Sequence, residues 1–225
     1  MIASGAVRKA CIYVLAGPNG GGKSSILGEM MLQAGSDYIN PDVEADRIRK
    51  ENPAIPLEQA NSIAWKLGRD LLERAIREQM TFVFETTLGG NTITELLERS
   101  LSVGIEVRIS FVCLATVEMH LKRIRSRVRQ GGHDIPEQKV RERYERSRWN
   151  VIRLLPSLTE LKLYDNSFEA DFGENVDPKP RLILHCAAGR IIHACELKDT
   201  PEWAKPIVEV AIRVNERNAI APGHE

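Results

Sequence analysis

The residues best suited to chemistry lie in one octapeptide, Gly17-Pro18-Asn19-Gly20-Gly21-Gly22-Lys23-Ser24, which fits the pattern G-x-x-x-x-G-K-[ST]. Glycines at these spacings let the backbone turn its N–H groups toward an anion. A lysine at the seventh place meets β- and γ-phosphate oxygens, and the following hydroxyl is a ligand for Mg²⁺. The expected ligands are the phosphates of a nucleotide and Mg²⁺. The expected nucleotide-binding set is Gly17, Pro18, Asn19, Gly20, Gly21, Gly22, Lys23, Ser24 and Ser25, with Ser24 on the metal. The bland alternative is a glycine-rich turn that binds nothing, and the flanks argue against it. Cys11 to Ala16 is an apolar run suited to a buried strand, and Ile26, Leu27, Met30 and Met31 recur at helical spacing behind the loop.

Phosphoryl transfer also needs a base and further cations. Asp42 follows the short strand Tyr38-Ile39 and is placed to take a proton from a hydroxyl. The plainer reading makes it a turn aspartate after Pro41. Glu85 closes the strand Thr81-Phe82-Val83-Phe84 at the edge of the core, where an unneeded charge is costly. It could bind substrate or organise Mg²⁺ through water, with Thr86 or Thr87 as a hydroxyl neighbour; the alternative is a surface glutamate. Arginines crowd both sides of Gly131-Gly132: Arg123, Arg125, Arg127 and Arg129 before it, Arg141, Arg143, Arg146 and Arg148 after it. Glycines between two arginine-bearing helices suggest a lid over the phosphates. Arg127 and Arg143 are the selected candidates, and Arg148 is expected to be solvated. His133 has no metal partner at useful spacing and reads as a hinge residue.

These residues need a scaffold that brings strand ends together. The chain has 225 residues, 43% of them hydrophobic, enough for a full core. Strand and helix patterns alternate, which predicts a parallel sheet covered by helices. Helical faces are expected at Ala60, Ile63, Ala64, Leu67, Leu71 and Ala75, then at Ile93, Leu96, Leu97 and Leu101. Further faces fall at Val117, Leu121, Ile124 and Val128, and at Val140, Tyr144, Val151 and Leu155. Regular structure is expected to break at Asn40-Pro41-Asp42, and 171–180 reads as a loop. Leu182 to Cys186 and Ile191 to Cys195 predict a hairpin turning at Ala188-Gly189, which would set Cys195 opposite Leu182. A last helix would present Trp203, Ile207, Ala211 and Val214. The domain expectation is a core over 1–170 with a lid around 123–147, and a hairpin and helix over 171–225 appended to it.

Thirty-one basic and 31 acidic residues cancel, so no global field favours nucleic acid or an anionic membrane. No 18-residue apolar run occurs, and a cytoplasmic setting is expected. Cys11, Cys113, Cys186 and Cys195 lack metal-ligand spacing. There is no N-K-x-D guanine motif, no LSGGQ-like element and no apolar strand ending in Asp-Glu. These absences disfavour GTPases, transporter ATPases and motor ATPases.

The chain resembles the zeta toxin family of P-loop kinases, and particularly its stand-alone "predicted ABC-type ATPase" relatives. The resemblance rests on A-G-P-N-G-G-G-K-S at 16–24, N-P-D at 40–42, F-E-T-T-L-G-G at 84–90, R-I-R-S-R-V-R-Q-G-G-H-D-I-P-E at 123–137, R-E-R-Y-E-R-S at 141–147 and Y-D-N-S at 164–167. It implies ATP-dependent phosphorylation of a sugar hydroxyl on UDP-N-acetylglucosamine or a similar nucleotide sugar. Lys23 and Ser24 would serve ATP-Mg²⁺, Asp42 would be the base, and Glu85 and Thr87 would bind substrate. Lid arginines would act on the phosphates. An antitoxin protein is a possible partner. Two other readings stand beside it: a nucleotide-gated switch protein, which needs no base at Asp42, and a polynucleotide 5′-kinase.

Overall fold

Alternating strand and helix patterns produce one sheet. In the computed structural model, which describes residues 9–28, 38–168 and 179–220, seven strands follow the order β2-β3-β1-β4-β5-β6-β7. The strands β1 (Cys11–Ala16), β2 (Tyr38–Ile39), β3 (Phe82–Thr86), β4 (Glu106–Cys113) and β5 (Glu160–Asp165) pair in parallel. The hairpin of β6 (Arg181–Ala187) and β7 (Arg190–Ala194) continues the same sheet antiparallel to β5. The helices are α1, described over 24–28, α2 (Pro41–Glu51), α3 (Leu57–Glu78), α4 (Asn91–Ser102), α5 (Val117–Arg129), α6 (Glu137–Leu154) and α7 (Lys205–Ile220).

Strand alternation divides the core. Ile12, Val14 and Ala16 of β1 join side chains of α3, α4, α6 and α7, whereas Leu15 packs with Ile26, Val83, Val112 and Tyr164. Each valine, leucine or isoleucine among them contributes roughly 1.5–3 kcal/mol when fully buried. The pairing of β1 with both β3 and β4 makes it central, so the glycine loop at its end emerges in mid-sheet. Among the described residues, no helix is long and apolar enough to cross a membrane.

Four expectations change. Pro41 does not end regular structure but opens α2, because a proline at a first helical position loses no needed hydrogen bond. The Asn40 side chain caps the helix, its Oδ1 accepting the Asp42 N–H at 2.8 Å. The α3 stripe is also rotated: Ala60, Ala64, Gly68, Leu72, Ala75 and Ile76 are buried, while Ile63 and Leu67 are 40% and 37% exposed. Small residues won because α2 lies close, with Ala45 meeting Ala60 and Ala64. In the hairpin, a bulge between His185 and Cys186 shifts the register, so Cys195 donates its backbone N–H to Ile183 O, and only its thiol reaches Leu182 O, at 3.4 Å. All four cysteines are free. Finally, Arg148 is not solvated; it lies 4.4 Å over the Tyr144 ring and pairs with Glu145. Met30, Met31 and most of the expected loop at 171–180 lie outside the described residues.

Candidate functional site

The glycine loop is held from several sides. A Cβ at Gly17, where φ is +136°, would lie 2.0 Å from Val112 O, so only glycine lets the loop leave β1 beside β4. Lys23 is 7% exposed, and its Nζ donates to Gly17 O at 2.9 Å and Pro18 O at 3.3 Å. The same ammonium pairs with Glu85 Oε1 at 3.4 Å. Asn19 is gripped at both ends: Arg143 Nη1 donates to its Oδ1 at 2.7 Å, and His120 Nδ1 lies 2.8 Å from its backbone oxygen. The Leu114 N–H donates to His120 Nε2 at 3.2 Å, so that nitrogen is unprotonated and Nδ1 carries the proton donated to Asn19. Burial pushes the His120 pKa down to about 4, so the imidazole is neutral near pH 7.

Glu85 reaches the same place from the end of β3, where it is paired in register with Leu15. Its Oε2 accepts from Tyr38 Oη at 2.5 Å and from Asn40 Nδ2 at 3.0 Å. Burial, then the Glu85 charge, pushes the Tyr38 phenol far up, which keeps it a donor. Both Glu85 oxygens are thus engaged by groups of the chain itself. Beyond Thr87, Leu88 adopts a left-handed φ of 52° while fully buried, with its N–H donating to Thr86 Oγ1 and its carbonyl accepting from Asn150. A leucine in that conformation stores strain that the surrounding hydrogen bonds must offset.

These groups open onto a cavity of about 880 Å³. Asn19, Lys23, Arg143, Asp42, Glu85 and Thr87 all line it. Asp42 sits on the first turn of α2, and its charge opposes the burial that lowers the Arg143 pKa. The opposite wall comes from α3: Asn61, Ser62, Trp65 and Arg69. Trp65 is 41% exposed, with the Arg69 guanidinium 5.5 Å from its ring centroid. Arg146 and His133 also face the cavity. Ser24 is exposed at the start of α1. Among the described residues, no group of three or more His, Cys, Asp or Glu side chains is placed to hold a metal.

The two selected arginines part company. Arg143 lies between Asn19 and the cavity, and Gly89 gives it room, since a Cβ there would be 2.9 Å from Arg143 Cγ. Arg127 does not line the cavity; its Nη2 donates to His133 O at 3.3 Å, beneath the loop that joins α5 to α6. Arg123, not selected from sequence, is the α5 arginine nearest the glycine loop and donates to Asn166 O at 2.7 Å. His120 and Trp65 were also missed. His120 precedes Ile124 by one helical turn, so the periodicity that buried Ile124 could have revealed it.

A parallel sheet ordered 2-3-1-4-5, with a glycine loop after its central strand and helices around it, defines a P-loop fold of the kinase-like kind. A family model described as an AAA domain matches residues 12–148, more than half of the chain, and the chain belongs to that family. An uncharacterized protein of Haemophilus influenzae is 34% identical over 136 residues, covering 60% of this chain and 92% of the relative. Among solved structures, a chain of the AvrRxo1-ORF1:AvrRxo1-ORF2 complex determined with ATP superposes with a TM-score of 0.61 at 18% identity. It covers 90% of this chain, which spans 64% of the AvrRxo1 chain. A putative kinase from Chloroflexus aurantiacus gives a TM-score of 0.52 at 16% identity, over 75% of this chain and 92% of that one. The PezAT chromosomal toxin-antitoxin system of Streptococcus pneumoniae gives 0.52 at 13% identity, over 96% and 89%. At these identities the structural likeness shows the fold.

Proposed function

We propose that this chain is an ATP-dependent kinase of zeta-toxin type that phosphorylates a hydroxyl of a nucleotide sugar resembling UDP-N-acetylglucosamine. The observation that carries this reading is one cavity shared by the glycine-loop residues Asn19 and Lys23, the carboxylate of Asp42 and the guanidinium of Arg143. A nucleotide switch needs the first pair only; a hydroxyl-directed base beside them is what transfer requires. The AvrRxo1 structure with ATP and the putative kinase from Chloroflexus support the nucleotide and the reaction class by their shared fold.

In this reading the residues from Gly17 to Ser25 receive the phosphates, and Lys23 moves from Glu85 onto the β- and γ-oxygens. Ser24 would hold Mg²⁺; its exposed hydroxyl is a hard oxygen donor of the kind that ion takes, alongside phosphate oxygens. Bound there, the ion would offset charge on the transferring group. Asp42 takes the proton of the acceptor hydroxyl as that oxygen bonds to the γ-phosphorus and ADP departs. Arg143 stabilises the charge that develops. Glu85 and Thr87 edge the acceptor volume, and the α3 wall around Trp65 offers an indole, an amide and a hydroxyl to a ring-bearing substrate. Arg127 is assigned to fastening the lid loop rather than to the phosphates.

The wider reading takes 1–170 as the kinase core, with a lid around 123–147, and 171–225 as an appendage of the same domain. The setting is cytoplasmic, where ATP is available. An antitoxin partner is supported by the likeness to the AvrRxo1-ORF1:AvrRxo1-ORF2 structure and to the PezAT toxin-antitoxin system.

The test is incubation with labelled ATP and a panel of UDP-sugars, nucleosides and oligonucleotides, with products identified by mass spectrometry. A phosphorylated UDP-sugar is expected. Phosphorylation confined to oligonucleotide 5′ ends would favour a polynucleotide kinase, and ATP binding without any transfer would favour a switch. Asp42→Asn keeps the helix start but cannot accept the proton, so ATP binding should persist while transfer falls about 10²–10⁴-fold. Near-normal transfer would return Asp42 to a structural role.

A further inference from the structure

The segment Y-D-N-S at 164–167 takes no part in the chemistry above, and it lies beyond residue 148, where the family match ends. Asn166 follows β5 directly and is 5% exposed. Its backbone N–H donates to Cys113 O at 2.9 Å, which ties it to the end of β4. Its side-chain Nδ2 donates to Gly21 O at 3.0 Å, inside the glycine loop. Arg123 Nη2 donates to its backbone carbonyl at 2.7 Å, adding α5 to the junction. The fit is close: a Cβ at Gly22, where φ is +82°, would lie 2.2 Å from Asn166 Nδ2.

The turn that carries Asn166 is itself anchored. Asp165 is buried and its Oδ1 accepts from the Ser167 hydroxyl, while Ser167 Oγ accepts the Ala115 N–H at 2.7 Å. Trp203, just before α7, donates its indole N–H to the same Asp165 oxygen at 3.4 Å and packs against Phe111. A trans peptide is planar, with its carbonyl and N–H pointing in opposite directions. Holding Gly21 O toward Asn166 therefore fixes the Gly22 N–H in the opposite sense.

We propose that Asn166 is a positioning residue of the phosphate cradle, holding the Gly21–Gly22 peptide so that its N–H is aimed at a phosphate of a nucleoside triphosphate. The C-terminal part of the chain thereby completes a site whose motif lies at the N-terminus. The inference rests on the reading of Gly17–Ser24 as a nucleotide loop. Asn166 touches no substrate atom in this account and acts only through the loop.

The experiment is calorimetric titration of ATP with MgCl₂ into the full chain and into Asn166→Ala, Asn166→Asp and Trp203→Phe, with melting curves of each. Asn166→Asp keeps the side-chain size but sets a carboxylate oxygen against the Gly21 carbonyl. Both Asn166 variants are expected to bind ATP at least tenfold more weakly with melting temperatures near wild type. In steady-state assays the KM for ATP should rise and the KM for the acceptor should not. Trp203→Phe, which keeps the packing and loses only the long hydrogen bond, should stay within about threefold. In the wild-type chain, ATP should slow hydrogen exchange at the Gly22 amide, a readout that needs no variant to fold. Unchanged ATP affinity in a folded Asn166 variant, an equal loss in Trp203→Phe, or no protection at Gly22 would each overturn the proposal. If the wild-type chain binds no ATP at all, the nucleotide reading falls and this inference with it.

Discussion

The two ends of the cavity are built differently. At the glycine-loop end, Asn19 is bonded through both its side chain and its backbone carbonyl, and Lys23 has three oxygen partners. At the α3 end, Trp65 is 41% exposed and is covered by Arg69, whose guanidinium is itself tied to Asp70. The first arrangement is a fixed geometry, as an anion cradle requires, because a misaimed N–H forfeits its hydrogen bond. The second is an open shelf, where in the proposed reading substitutions would change what is recognised without disturbing the core. On the function proposed above, one end would serve a constant co-substrate and the other a variable one.

The largest effect that would break this contrast is expected at Lys23. Lys23→Ala should reduce phosphoryl transfer by about 10³-fold or more, the scale at which a cation on a transferring phosphoryl group counts. The fold should survive with a lowered melting temperature, because Glu85 loses its ion-pair partner but keeps Tyr38 and Asn40 as donors. Unchanged transfer in a folded variant would remove the phosphate assignment altogether.

The rigidity of the cradle end has a pH signature. His120 carries a folded pKa of about 4 against an ordinary 6.5, so the unfolded chain binds more protons between those values. Stability is therefore fully present above pH 6.5 and falls as pH drops toward 4, by roughly 3 kcal/mol in all from this group. Urea melts at pH 7, 5.5 and 4.5 on wild type and His120→Gln check this. A variant with the same acid slope as wild type would show that another group carries it.

Next in size is the separation of the two arginines. Arg143→Ala should slow single-turnover transfer about 10²-fold with a smaller change in ATP affinity. Arg127→Ala should leave transfer within about threefold and lower the melting temperature by about 2–4 °C, the scale of one lost hydrogen bond in a chain of this length. Equal kinetic losses would reinstate Arg127 at the phosphates. The smallest effect belongs to the shelf: Trp65→Ala should raise the acceptor KM about tenfold and leave the KM for ATP unchanged. A matching rise for ATP would mean that the two ends are not separate.

The same contrast governs what could be read from sequence. The loop was legible because phosphate binding constrains residue type at fixed spacing, and its strand and helix flanks follow from simple periodicity. The sheet was legible for the same reason. The α3 face was not, since the expected stripe through Ile63 and Leu67 gave way to alanines chosen for close approach to α2. That rotation is also why Trp65 went unnoticed: its exposure depends on which face α2 covers. Pro41 misled because proline both ends and begins helices, and the Asn40 cap decides between them. His120 and Asn166 act through single contacts across 101 and 145 residues of sequence, which no local pattern records.

The Lys23–Glu85 pair carries a consequence for the order of events. With its charge opposed by Glu85 and its protons shared with Gly17 and Pro18, the lysine is no bare lure for any passing anion. A chloride or a single phosphate offers too little charge to outcompete these three partners. A polyphosphate chain with its cation brings enough. Once the lysine turns away, Glu85 is left as an uncompensated carboxylate beside Asp42, and the cavity ahead of the glycine loop changes from balanced to acidic. The arrival of the donor would thus be announced electrically to the acceptor, making the loop a detector of how many charges a ligand carries and giving the two ligands a preferred sequence of entry.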